Sequence, residues 1–165
     1  MSGDLLSHLP NAPGDYCQLS HYPLPTSDIL PHLVHEHQVG FLNHVVEAIY
    51  LARENQPERI PGFVRDFAAY ITFQNEAALP KDGVVGDATY RKDFQEMLPA
   101  TGRALGEFDL KSRLFKLRCS YLLLTKTWQA VPATLRLKIY AELRRQLPPD
   151  SLAISILRTH LPDWK

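Results

Sequence analysis

The stretch Asp109-Leu-Lys-Ser-Arg-Leu-Phe-Lys-Leu-Arg-Cys-Ser-Tyr-Leu-Leu-Leu-Thr-Lys-Thr-Trp128 carries the clearest periodicity in this chain. Leu110, Leu114, Leu117, Tyr121, Leu124 and Trp128 recur at steps of three and four residues. Such steps put side chains on one face of an α-helix. Lys111, Arg113, Lys116 and Ser120 fall on the other face, and Asp109 is a good N-cap residue. The spacing predicts one amphipathic helix from Asp109 to Trp128, buried along the stripe.

Toward the C-terminus, Val131-Pro132 breaks that pattern, and Leu135, Ile139, Leu143 and Leu147 begin another. Pro148-Pro149 ends it, and Asp150 or Ser151 caps a last short helix through Ile154, Leu157 and Leu161. Toward the N-terminus, Asp87 or Thr89 caps a short helix with Tyr90, Phe94, Met97 and Leu98, which Pro99 disturbs. Residues 80–87 are rich in Gly and Asp and read as a loop, with Val84-Val85 able to make a brief extended contact. A helix starting near Pro57 or Pro61 and ending before Pro80 places Ile60, Val64, Phe67, Ile71 and Ala78 on one stripe, with Phe63 and Tyr70 beside it.

The first helix runs from a cap among Thr26, Ser27 and Asp28 to about Asn55. Leu30, Val34, Phe41, Val45, Ala48 and Ala52 form its stripe, and Leu33, Leu42, Val46 and Ile49 widen it. A helix apolar over so much of its circumference is expected to be central. Gly40, costing about 1 kcal/mol relative to Ala in a helix, points to a close crossing there. No stretch alternates as a strand does. We therefore expect an all-α, single-domain bundle of about five or six helices over residues 28–165. Residues 1–27 form an irregular, proline-rich arm packed on the body.

Composition agrees with one ordinary core. A 165-residue chain that is 45% hydrophobic and 22% charged needs no disulfide or metal to fold. Cys17 and Cys119 are the only cysteines, a pattern of reducing compartments. The longest strong apolar run, residues 121–124, is far short of the ~18 a membrane span needs. These features lead us to expect a cytoplasmic protein with no membrane partner.

Net charge is zero but unevenly placed: residues 1–60 carry −5, residues 61–100 carry −2, and residues 101–165 carry +7. An acidic N-terminal half packed beside a basic C-terminal half accounts for this. A basic face of Lys111, Arg113, Lys116, Arg118, Lys126, Arg136, Lys138, Arg144, Arg145 and Arg158 for nucleic acid is the alternative. A neutral chain falls short of the basic domain such binding calls for.

Four of the seven histidines crowd the first helix, in His32-Leu-Val-His35-Glu36-His37 and His44, with Glu47 three residues further on. His32 neighbours His35 and Glu36, and His44 neighbours Glu47, across single helical turns. His32, His35, Glu36, His44 and Glu47 are thus candidate metal ligands, with Asp66 or Glu76 supplied by a facing helix. His37 or His44 could serve as a haem axial ligand, because one imidazole in an apolar pocket is enough. The alternative keeps His32 and His35 solvated and His37 and His44 hydrogen-bonded at the core edge. The His35-Glu36-His37 stretch resembles the first helix of hemerythrin-like domains. That family needs further histidines on later helices, and none lies between His44 and His160.

No phosphate-binding glycine loop, nucleotide fingerprint or nucleophile elbow is present. Polar residues otherwise follow the helical period. The expected function is a non-enzymatic protein-interaction or regulatory module, its partner another protein or a second copy of itself. A metal- or haem-binding bundle and a nucleic-acid-binding module are the alternatives.

Overall fold

The structure, a computed structural model, describes residues 28–54 and 56–164. The arm expected over residues 1–27, with Cys17, lies outside them. The chain forms α1 (Ile29–Glu54), α2 (Ile60–Ile71), α3 (Ala88–Met97), α4 (Lys126–Gln129), α5 (Ala133–Gln146) and α6 (Leu152–His160). Two 3-10 helices, Ala100–Gly106 and Tyr121–Leu124, complete it. Helix makes up 63% of the described residues and none is in a strand, so the class is all-α.

Local signals account for most boundaries. The Asp28 carboxylate accepts the Leu30 amide at 3.0 Å and, through its other oxygen, the Asp87 amide at 2.8 Å, which ties the start of α1 to that of α3. Asp87 in turn caps α3 through the Tyr90 amide, and Ser151 caps α6 through the Ile154 amide. Leu135, Ile139, Leu143 and Leu147 of the α5 stripe are all buried, as their spacing requires.

α1 buries Leu30, Val34, His37, Phe41, Val45, Ala48 and Leu51 along one face. Each large side chain there contributes roughly 2 kcal/mol by leaving water. The helix is not central, however: Val39, Leu42, Val46 and Tyr50 are exposed on its outer side. Leu42 and Val46 widen the apolar face in the sequence, yet no element among the described residues covers them. α2 packs against both α1 and α5. Where it crosses α1, a Cβ on Gly40 would sit 2.2 Å from the Tyr70 Oη, so the expected close approach is real. That hydroxyl donates to the His37 carbonyl at 3.0 Å.

Two expected helices are corrected. α2 stops at Ile71 instead of running toward Pro80, and Ala78 is exposed outside it. Phe73, with φ of 54°, sits in the left-handed region. Its amide donates to the Tyr70 carbonyl, and the Gln74 amide donates to that of Ala69. This is a Schellman stop with a phenylalanine where glycine is usual, at a cost of about 1–2 kcal/mol.

The helix expected over Asp109–Trp128 does not form. Phe108 and Phe115 instead make an isolated antiparallel bridge, with Leu110 at φ 60° in the intervening turn. Gly83, at φ 74°, lies against that turn and has no room for a Cβ, and the Val84 amide donates to the Leu110 carbonyl. Helical order returns only at the short turn Tyr121–Leu124 and at α4. The stripe nevertheless reports burial correctly at Leu110, Leu114, Tyr121 and Trp128.

Non-local partners explain the missing helix. The Leu114 amide donates to the Glu76 carboxylate and the Ser120 amide to the Ile71 carbonyl. Locally, Asp109 is drawn to the Ser112 hydroxyl, and Ser120 caps the Leu122 amide. Ser and Asp side chains compete in this way with helical hydrogen bonds.

The ion pairs Arg113–Asp109, Lys116–Glu107, Arg136–Asp163 and Arg145–Glu142 all lie within residues 101–165. Four of the basic residues of that segment are thus matched by its own acids, while Glu76, from the acidic part of the chain, acts on Arg113 and Arg118. No described helix is long and apolar enough to cross a membrane.

Candidate functional site

His37 sits at the centre of an aromatic cluster. Its ring lies parallel to Tyr70 at 5.4 Å and packs against Phe73 at 4.8 Å and Phe115 at 5.9 Å. The strained backbone at Phe73 turns the chain so that its ring meets the imidazole. Burial lowers the His37 pKa from 6.5 to about 4, so the ring is neutral near pH 7. Its Nε2 shares a 2.8 Å hydrogen bond with the Ser120 hydroxyl, 83 residues away in sequence.

A histidine on a serine resembles a base and its nucleophile. Ser120, however, is fully buried, and its oxygen also accepts the Leu122 amide. No substrate can reach it, so the pair is a buried link between α1 and the turn that opens at Tyr121.

Beside His37 opens a cavity of about 460 Å³. α1 contributes Leu33, Glu36, His37 and His44, and α2 contributes Asp66 and Tyr70. Phe73, residues 75–79 and Leu114 close the remaining sides. The walls are mostly apolar and aromatic. His44 is half-buried, stacked on Phe67 at 4.8 Å and tilted against Tyr70 at 4.9 Å. Burial lowers its pKa, while Glu47 and Asp66 act the other way. Burial pushes the Tyr70 hydroxyl up to about 12, with the Glu36 carboxylate adding to that rise. Glu76 is raised by burial and held back by the Leu114 amide it accepts and by Arg113 and Arg118.

The structure divides the residues singled out as ligands. Glu36, His37 and His44 line the cavity, with Asp66 and Glu76 facing them. His32 and His35 are exposed. Glu47 lines a separate shallow groove with Tyr50 and Arg59, and its carboxylate meets Arg59 at 3.5 Å. Among the described residues no three His, Cys, Asp or Glu side chains converge as a metal site. A haem iron at Nε2 of His37 would have to displace Ser120. Cys119 is fully buried, its thiol pushed up to about 12 by desolvation, and is inert.

Tyr70, Phe73 and Ser120 were not read as site residues from the sequence. Gly40 pointed to the approach that Tyr70 makes, but nothing local couples Ser120 to His37. The chain matches no protein-family model, no curated protein and no solved structure.

Proposed function

We propose that this chain is a non-enzymatic binding module whose main site is the cavity between α1 and α2, which takes a small, largely apolar ligand. The observation that carries this reading is the cavity itself: about 460 Å³, apolar and aromatic in its walls, with a few polar groups converging on it. Pockets of this size and lining are the usual form of small-molecule sites. The Tyr70 oxygen, whose proton goes to the His37 carbonyl, keeps a lone pair to accept a hydrogen bond, and neither it nor the neutral imidazole imposes charge.

The test is binding of neutral naphthyl alcohols followed by amide NMR shifts. We expect shifts clustered at His37, Tyr70 and Phe73, and their loss in Ala78→Trp, which fills the cavity from an exposed rim position. Scattered shifts, or equal binding to Ala78→Trp, overturn the proposal.

A second reading, docking of another protein chain, is favoured by one separate feature. Val39, Leu42, Val46 and Tyr50 recur at helical spacing and are 39%, 49%, 42% and 56% exposed. Exposed apolar stripes of this kind form helix-in-groove contacts. A chain that stays monomeric at high concentration, and whose cellular cross-links are unchanged by Leu42→Asp with Val46→Asp, removes this reading.

A further inference from the structure

The chemical class of the ligand follows from what lines the cavity and what does not. Carboxylates stand on three of its sides: Glu36 on α1, Asp66 on α2 and Glu76 on the segment after α2. No Lys or Arg is among the described residues that line it. Arg113 and Arg118 act on Glu76, which also holds the Leu114 amide, so that carboxylate is largely engaged by the fold. Glu36 and Asp66 make no ion pair with a Lys or Arg among the described residues.

Both carboxylates bear on the cavity. Glu36 acts on the Tyr70 hydroxyl and Asp66 on the His44 ring. Tyr70 and Phe73 line the same cavity, and aromatic faces attract a cation. His37, the most buried polar side chain of the wall, is neutral and adds no repulsion. An anionic ligand would meet carboxylates and no Lys or Arg among the described lining residues, whereas an ammonium group would meet opposite charge. Both carboxylates are exposed, so salt screens such contacts and low ionic strength brings them out.

We propose that the α1–α2 cavity selects an organic ammonium ion carrying an apolar body, the body against Leu33, Tyr70 and Phe73 and the charge between Glu36 and Asp66. This rests on the cavity being a ligand site, and the two claims separate in one experiment. Naphthylethylamine, naphthylethanol and naphthylpropanoate share a body and differ in charge. Titration calorimetry at low salt is expected to rank the ammonium at least about tenfold tighter than the alcohol, and the alcohol tighter than the carboxylate. In Glu36→Gln combined with Asp66→Asn, both at exposed positions, the ammonium is expected to bind no tighter than the alcohol. Equal affinity of alcohol and ammonium in the unmodified chain, or tightest binding by the carboxylate, overturns the ammonium proposal and leaves the cavity a neutral-ligand site. Binding by none of the three overturns both.

Discussion

At the scale of single residues, His37 and Ser120 couple burial to pH. The imidazole is buried among Tyr70, Phe73 and Phe115, and its pKa falls from 6.5 in the open chain to about 4 in the fold. Below about pH 6.5 the unfolded chain takes up a proton that the folded chain refuses. Stability is therefore fully present above about pH 7 and is lost as pH falls toward 4, by about 2 kcal/mol near pH 5 from this residue. Urea midpoints measured across that range check it, and His37→Gln is expected to flatten the slope. Ser120→Ala strands the buried Nε2 and removes the cap of the Tyr121 turn. We expect a loss of about 1–3 kcal/mol, against less than about 0.5 kcal/mol for the exposed Ser112→Ala.

Among elements, the α1–α2 crossing depends on Gly40 leaving room for Tyr70. By helix propensity alone Gly40→Ala should stabilise α1 by about 1 kcal/mol. The crossing reverses that sign, because the new methyl group collides with a hydroxyl held by the His37 carbonyl. We expect net destabilisation, and a double-mutant cycle with Tyr70→Ala to show positive coupling above about 0.5 kcal/mol. Additivity would mean that the two helices do not meet there. The irregular segment between Asp109 and Ser120 makes a different demand. Because it is not a helix, its leucines are not equivalent: Leu114 is buried, while Leu117 is only partly so. Leu114→Ala is expected to cost about 2–5 kcal/mol and Leu117→Ala clearly less, as measured by denaturant unfolding.

For the whole molecule, part of the positive charge is held by partners within the fold. Arg136 is held by Asp163, which also accepts the Tyr140 hydroxyl, and Arg144 lies over the Trp164 ring at 4.5 Å. Contacts of this kind hold Arg113, Lys116, Arg136, Arg144 and Arg145 against the fold, five of the twelve basic residues between positions 101 and 165, and the chain as a whole is neutral. We expect no mobility shift with DNA or RNA at low salt, where phosphate contacts are strongest. The outer stripe of α1 is the opposite case, apolar surface without a partner among the described residues. Leu42→Asp with Val46→Asp is expected to leave thermal stability within about 0.5 kcal/mol of the unmodified chain, measured by calorimetry, since both positions are already exposed.

Periodicity and capping chemistry were enough to locate α1, α3, α5 and α6 and to establish the all-α class, because both act within a few residues. In Leu110–Trp128 they marked Leu110, Leu114, Tyr121 and Trp128 as buried, but placed Ser120, which is fully buried, on the polar face, because a helical face has no meaning in a segment that is not a helix. Backbone shape in that segment was settled by Glu76 and Ile71, which take its amides from far along the chain. No local pattern encodes such partners. The candidate site divides in the same way. Glu36, His37 and His44 were legible on one helix, and Asp66 and Glu76 as groups to face them. Only the fold, by stopping α2 at a left-handed Phe73 and bringing Tyr70 across Gly40, joins them into a cavity and withdraws His32, His35 and Glu47 from it.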